Sequence, residues 1–598
     1  MKFPHYAKWM LALIPLAVYI LLLSFGAPQG ISRFFQIYSP ALFLIVLCLN
    51  YLVLSRNDSG GPLLLFTITL VLFALPLVFL WSTAYSDNKV FAGFLPYKDG
   101  KNYYVASQKI LNGFPAGGSS QGTWRPLTPG LLSSLLLFTN GSLQWTLALL
   151  ALLTAVALYV SARQVIPELG LFAAAYYFTL AYLYIRPWLG YTMSEIPGFI
   201  FGCLGFALIW KYARSGRSLD LAAGLFLLTT GISARAGAFF IFPALALWAG
   251  WIRRGEKRFS FSAFAFVTAV FIVSLFIVSW LYPRSLGITE SAQGNFAYTI
   301  YGQVRGGIGW QDSVRELNTS KIDLVYREAL AYFLRHPLSL LIGALKSYRD
   351  FFVPNYSGIF GSMWNNSLFD TFLWILNLVL LGVGLFKSVK QIHSPHASLA
   401  LAGFAGIFFS IPFLPPIDGG SRFHASTMPF FLIIPALALR SKEKTAAFDF
   451  VKPIYALSFI LSFLTILLPP VTQRLANKVE LPVPECREGQ TPFAIHVFHG
   501  SYLDLQPDSV KSCGYLPNAC ISGFRANGAE RGIDDFFDQI LEMAESSNAP
   551  MRLTVSYNLL NDRMYYFIGR PDQLQEGLLT GCASNDVTGK QRMLIVEP

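Results

Sequence analysis

The feature that most constrains what this chain can fold into is a repeated one: apolar runs close to the length of a membrane span. A helix needs about 20 predominantly apolar residues to cross the hydrocarbon core of a bilayer. Runs of that kind lie at 7–25, 39–55, 62–85, 142–162, 166–186, 190–211, 219–235, 237–252, 261–281, 368–386, 397–414, 424–440 and 453–470. The expected fold class is a polytopic α-helical membrane protein with about 13 transmembrane helices. The pair over 219–252 is one long run split by a polar break at Ser233–Arg235.

Composition agrees. Of the 598 residues 54% are hydrophobic and 13% charged, and mean hydropathy is +0.49. A soluble domain carries about 25% charged residues, so a chain this apolar cannot cover itself with polar surface. The formal net charge of +12 would point to nucleic acid in a soluble protein. Here the basic residues sit in short loops between apolar runs, so membrane lipids, and no nucleic acid, are the expected partners. With Lys2 and Lys8 in the cytoplasm, the inside loops carry Arg56, Arg163, then Lys211, Arg214 and Arg217, then Arg253, Arg254, Lys257 and Arg258. Lys387 and Lys390 follow, and then Arg440, Lys442, Lys444 and Lys452. This is the Lys/Arg bias of cytoplasmic loops, and thirteen spans then place the C-terminus outside. No convincing small-residue cleavage site follows 7–25, so that run reads as the first membrane helix rather than a signal peptide.

Character changes near residue 475. Two domains are expected: 1–474, transmembrane, and 475–598, a small external α+β domain. In the second, Phe493–Phe498, Met551–Tyr557 and Met564–Ile568 read as strands and Ile533–Ala544 as a helix. Cys48 and Cys203 lie in apolar spans and act as small hydrophobes. Cys486, Cys513, Cys520 and Cys582 all fall in the exported domain and imply two disulfides, with three pairings open. Zinc is the competing reading, against which stands the lack of any CxxC pair. His496 and His499 resemble a metal pair but have no third ligand nearby in sequence, so no metal or other cofactor is expected.

Two outside loops are long, 86–141 and 282–367. The first holds an amphipathic stretch, Asn102-Tyr-Tyr-Val-Ala-Ser-Gln-Lys-Ile-Leu-Asn112, closed by Gly113, a natural residue just past a helix end. The second holds another over 322–353, a candidate for the interface plane. Charges kept at the ends of spans are functional hypotheses by default. Asp99, Arg125, Glu195, Arg235, Arg305 and Arg422 are of this kind, and four of them carry a bland alternative. Asp99 reads equally as a helix N-cap. Glu195 could face interfacial water, Arg235 could snorkel, and Arg422 could be structural. Asp87, Asp312 and Asp418 read as solvated loop residues. No P-loop, nucleotide-binding glycine motif or Gly-x-Ser-x-Gly elbow is present, which argues against a cytosolic nucleotide sugar.

The segment Tyr97-Lys-Asp-Gly-Lys-Asn-Tyr-Tyr104, followed by Trp124-Arg-Pro-Leu-Thr-Pro129, resembles the GT-C superfamily of membrane glycosyltransferases. The likeness is to the protein mannosyltransferases and the lipid A aminoarabinose transferases. Asp99 matches the first acid of their external loop, and Gly100 stands where a second acid is usual. Arg125-Pro126 is similar to their later basic-proline motif. Met193-Ser-Glu-Ile-Pro197 is similar to the Glu-containing motif, Ala234-Arg-Ala-Gly237 to the Arg-Pro element, and Ser421-Arg-Phe-His424 to the Arg-aromatic element before a late span. The likeness covers about 90–470.

The resemblance implies an inverting glycosyltransferase of a bacterial inner (plasma) membrane. It would move a sugar from a polyprenyl-phosphate donor to a hydroxyl of a glycan, lipid or protein acceptor on the outer face. Asp99 is the candidate general base. Arg422, Arg235, Arg125 and Arg305, in that order, are candidates for the lipid phosphate, which a guanidinium fork fits. Glu195 and Tyr103 are expected to line the same donor site. Two other classes compete. A flippase for lipid-linked glycans would show inverted repeats, which are absent from the sequence. An O-antigen polymerase or ligase would use the later loop, with Arg284, Arg305, Arg315 and His336. The external domain is expected to contact acceptor or glycan beside the outer cavity.

Overall fold

The computed structural model describes residues 5–37, 39–55, 61–117, 125–256, 258–288, 294–319, 321–355, 357–361, 367–441, 451–476, 483–506, 518–520, 535–547, 549–588 and 591–596. Each of the thirteen apolar runs falls on a helix. Their lengths differ from the expectation of about thirteen full spans. Among the described residues seven helices are long and apolar enough to cross a bilayer: Gly61–Ser82, Leu143–Leu169, Glu195–Ser215, Phe261–Ser285, Leu368–Lys390, Pro395–Phe413 and Pro453–Leu475. The bent pair Leu13–Phe25 and Gly30–Gln36 makes an eighth if taken as one span. Ala41–Leu54, Ser218–Ala234, Ile241–Ile252 and Met428–Ala438 are shorter apolar helices.

Burial separates the helices into a centre and a rim. Glu195–Ser215 is 94% buried over its most apolar window, and packs against Ser218–Ala234 and Leu143–Leu169. Its glycines make this possible. A Cβ on Gly205 would lie 2.9 Å from the Gly224 carbonyl of the neighbouring helix, so two backbones meet there, as small residues allow between membrane helices. On the rim, Phe261–Ser285, Leu368–Lys390 and Pro453–Leu475 turn large apolar side chains outward, among them Phe276, Phe372, Val379, Phe386 and Phe459. In water that surface would be costly; against lipid it is matched.

Both long loops are more structured than expected. The first contains a further apolar helix, Leu127–Phe138, buried over Leu127–Leu136. It is short, and Pro129, Gly130, Ser133 and Ser134 lower its hydropathy, which is why it reads as loop. The second carries Gly294–Val304, Trp310–Leu317, Ile322–Arg335 and Pro337–Phe352. The single amphipathic stretch expected over 322–353 is thus two helices, broken at His336 because a residue before proline disfavours the α conformation.

In the C-terminal region, strands β3 (Gln490–Val497), β4 (Tyr502–Gln506), β5 (Asn518–Cys520), β6 (Met551–Asn558), β7 (Arg563–Gly569), β8 (Gly577–Thr588) and β9 (Gln591–Val596) form one mixed sheet in the order β3-β8-β9-β7-β6-β4-β5. Strands β1 (Val90–Phe91) and β2 (Leu95–Pro96) are a separate short hairpin in the first long loop. The three strands expected from the sequence coincide with β3, β6 and β7, and the expected helix is Asp535–Ser546. Side chains alternate faces along a strand. Tyr566 and Ile568 of β7 pack with Phe536 of that helix and with the membrane helices, while Tyr565 and Phe567 join Phe493 and Ile495 in a second cluster. Cys486 and Cys582 form a disulfide. Cys513 and the side chain of Cys520 lie outside the described residues, as does Trp124.

Candidate active site

The helix Asp99–Leu111 begins in a tight turn. The Gly100 amide donates to the Tyr97 carbonyl at 3.2 Å, and Lys98 between them has φ 46° and ψ −118°. That is the first central position of a type II′ turn, a conformation that glycine dominates. Lys98 occupies the N-cap and makes no side-chain cap. Asp99 is therefore the first helical residue rather than the cap, exposed, and placed where helix dipoles favour an anion. Gly100 is explained by packing: Thr192 Oγ1 donates to its carbonyl at 2.8 Å, and a Cβ at Gly100 would lie 2.9 Å from that oxygen. A second acid has no room there. The helix ends as the sequence implies, with Gly113 at φ 78° and the Phe114 amide donating to Lys109 O at 2.9 Å.

Beyond this helix, four distant segments converge. Glu195, the first residue of its helix, is fully buried. Its Oε1 lies 3.2 Å from Arg235 Nη2 and 3.8 Å from Arg422 Nη1. Arg235 follows directly on Ser218–Ala234, where a cation meets the negative end of the helix dipole. Arg125, just before Leu127–Phe138, and Arg235 both donate to Ser194 Oγ, at 3.5 and 3.4 Å. Arg422 sits in a short turn, Gly420–His424, pinned by Ser421 N to Ser357 O at 2.9 Å and by Tyr184 Oη to Ser421 O at 2.9 Å. The guanidiniums of Arg235 and Arg422 lie 4.6 and 5.6 Å from the Phe423 ring, and Arg422 is 5.9 Å from Trp188.

Asp99 and Tyr103, one helical turn apart, both act electrostatically on Arg422, and Tyr103 on Arg125. Arg125, Arg235, Arg422, Glu195, Asp99 and Tyr103 are thus one constellation drawn from the turns at 99, 125, 195, 235 and 422. Burial, and then the nearby charge of Arg235, lowers the pKa of Arg125 and of Arg422. Three guanidiniums face two carboxylates, which leaves one positive charge uncompensated. Arg235 Nε and Arg422 Nε are buried and have no hydrogen-bond partner among the described residues. Such an arrangement can receive an anion through donors already in place.

Arg305 stands elsewhere. It pairs with Glu316 at 2.5 Å and stacks over Tyr332 at 4.5 Å, so its described contacts stay within the helices of 294–352. Two of the residues read as solvated loop are structural. Asp87 is buried, accepting from the amides of Lys89 and Val90 at 2.7 and 3.2 Å and from Tyr191 Oη at 3.3 Å. Asp418 accepts from Trp310 N at 2.7 Å and Thr299 Oγ1 at 2.8 Å, tying the 294–352 helices to the turn before Arg422. Asp312 is exposed beside Arg315. His496 and His499 face different partners, Asn112 Oδ1 at 2.8 Å and Glu576 at 2.9 Å. Ser194, Trp188 and Phe423 are not site candidates in the sequence; Ser194 and Phe423 each adjoin a charge that is, and Trp188 lies seven positions before Glu195.

No protein-family model and no curated protein matches this chain. Among solved structures, two of the Archaeoglobus fulgidus oligosaccharyltransferase are similar. The one tethered to an acceptor peptide containing the NVT sequon is 13% identical, with a TM-score of 0.34, covering 74% of this chain and 55% of that one. The complex with zinc and sulfate is 15% identical, with a TM-score of 0.36, covering 69% and 53%. The chain therefore spans about half the length of these structures. At such scores the reading of the site rests on its own geometry.

Proposed function

We propose that this protein is an inverting glycosyltransferase that takes its sugar from a polyprenyl-phosphate donor and acts at the outer face of the membrane. The observation that carries the reading is the convergence of Arg125, Arg235 and Arg422 around buried Glu195, with Asp99 exposed at the edge of the same cluster. In the reaction the acceptor hydroxyl oxygen bonds to the sugar C1 as the C1–O bond to phosphate breaks. The acceptor proton passes to the Asp99 carboxylate, and the bonding pair leaves with the lipid phosphate. Charge develops on that phosphate, and the fixed guanidiniums stabilise it without reorganising. Glu195 holds Arg235 and Arg422 in place, and the acceptor is a hydroxyl of a glycan, lipid or protein.

The test uses purified full-length protein in nanodiscs with a panel of polyprenyl-phosphate sugars, following transfer and donor hydrolysis. Asp99→Asn is expected to lower turnover by about 10²-fold or more, in the range of general-base catalysis, while polyprenyl phosphate still binds. Arg422→Ala is expected to weaken that binding. If no lipid-phosphate donor binds, or if lipid-linked glycan crosses proteoliposomes in the Asp99→Asn protein as in wild type, the reading fails, and the second result would favour a flippase.

A further inference from the structure

The external domain does not hang free of the membrane helices. Its sheet seats on the helix Asp99–Leu111 and on the turn before it. Tyr566 of β7 is fully buried, and its hydroxyl donates to the Pro96 carbonyl at 2.9 Å. The Tyr97 ring, also fully buried, stacks on Phe536 of the domain's helix at 5.8 Å, and Phe536 lies 4.8 Å from Tyr566. Lys101 Nζ sits 4.9 Å over the Tyr566 ring. Further along the helix, Gln108 donates to Val555 O at 3.4 Å and Lys109 pairs with Asp562 at 2.6 Å. His496 meets Asn112 at the helix end.

These contacts bracket Lys98, one of six described non-glycine residues with a positive φ and the one that adjoins Asp99. Lys98 holds a positive φ in a turn position made for glycine. Strain of that kind persists only where the surroundings over-determine the conformation. Here they do so on both sides. Pro96 and Tyr97 are clamped by Tyr566 and Phe536, and Gly100 is locked by Thr192. Lys98 and Asp99 are the exposed tip between two fixed points.

We infer that the C-terminal domain is a clamp that forces the Lys98 turn and so aims Asp99, with Tyr566 as its positioning residue. As a statement about catalysis, this rests on the proposed transfer; as a statement about the turn, it does not. It assigns the domain a part in presenting the base rather than in gripping the acceptor.

The experiment pairs two readouts on the full chain. Hydrogen–deuterium exchange of the segment 95–104 reports the turn directly. Tyr566→Phe keeps the ring and its contact with Phe536 but removes the hydroxyl, and is expected to speed exchange there several-fold while leaving the membrane helices unchanged. Donor kinetics are expected to show kcat down about tenfold with KM for donor within a factor of two. Lys98→Gly, added to Tyr566→Phe, removes the penalty of positive φ and is expected to recover at least half of the lost kcat. Unchanged exchange in Tyr566→Phe would overturn the clamp, whatever the activity. Faster exchange with full kcat would overturn the aiming of Asp99. Faster exchange in a protein that never transfers sugar would leave the clamp standing and remove the proposed function.

Discussion

Glu195 and Arg235 meet at 3.2 Å, the carboxylate fully buried and the guanidinium nearly so, at the centre of a cluster that also takes in Arg422. A buried pair is weak evidence for stability by itself, because the desolvation of two charges offsets much of their attraction. What the pair does here is geometric. Glu195 begins one helix and Arg235 ends another, so the ion pair fixes how two helix ends meet within the arginine cluster.

Removing one member of this pair should therefore cost more than the pair is worth. Glu195→Gln leaves the buried guanidinium of Arg235 facing the half-buried one of Arg422, and loss of about 3 kcal/mol is expected, read as a lower midpoint of thermal unfolding in detergent. Glu195→Leu combined with Arg235→Met should unfold at a higher temperature than Glu195→Leu alone, since the buried Arg235 charge leaves together with its partner. A Glu195 that merely faced interfacial water would give no loss in the single variant and no recovery in the double.

Gly198 lies one turn along the same helix, and a Cβ there would stand 2.6 Å from Arg235 Cβ. Both atoms are close to backbone, so neither can swing away cheaply. Gly198→Ala is expected to cost about 1–3 kcal/mol through overpacking and to weaken binding of polyprenyl phosphate by displacing Arg235. Gly382, in the helix Leu368–Lys390, has open space around its Cβ position. Gly382→Ala should be neutral or stabilising by up to about 1 kcal/mol. Equal effects of the two substitutions on binding would show that Arg235 has slack.

The sequence exposed the membrane helices and most of the cluster for the same reason: a charge at the end of an apolar run is conspicuous. Glu195, Arg235 and Arg422 stand out in this way, and Asp99 and Arg125 through the motifs of the first long loop, though only the fold brings them together. The helix Leu127–Phe138 was hidden because proline, glycine and two serines dilute a run that burial, not hydropathy, makes helical. Strand β8, with Gly581, Ser584, Asn585 and Asp586, carries little strand propensity and is held by pairing to β3 and β9. Arg305 looked equal to the other arginines because spacing says nothing about Glu316, which engages it. The seating of Tyr566 on Pro96 joins residues 470 apart, and no local pattern could announce it.

His424 gives the fold a pH dependence of predictable sign. It is fully buried in the turn beside Arg422, and neither ring nitrogen has a hydrogen-bond partner among the described residues. Burial first, and then the charge of Arg235, lowers its pKa from 6.5 to about 4. Between those values the unfolded chain binds a proton that the folded one refuses, so stability falls as pH drops through this window and is unaffected above it. The unfolding midpoint should decline from pH 7 to pH 4. His424→Phe, which keeps an aromatic ring against Phe351 at the 5.3 Å contact, should flatten that decline. An unchanged slope in this variant would assign the acid sensitivity to other groups.

The Cys486–Cys582 disulfide closes a loop of 96 residues, which on the loop-entropy model is worth roughly 4–5 kcal/mol to the folded state. Its placement gives the loss a direction. Cys582 lies on β8, opposite Pro492 of β3, and β3 is an edge of the sheet with β8 as its neighbour. Without the cross-link, β8 must be held by pairing alone despite its polar sequence, and β3 is the strand that carries His496 to Asn112 at the end of the Asp99–Leu111 helix. Cys486→Ser with Cys582→Ser is therefore expected to speed amide exchange in β3 and β8 first and in 105–112 next. The helix Glu195–Ser215, buried at the centre of the membrane bundle, should stay protected. Exchange that rises evenly over the whole chain would show that the domain and the membrane helices unfold as one unit; exchange that rises in β3 and β8 alone would show that the Asp99–Leu111 helix holds its place without them.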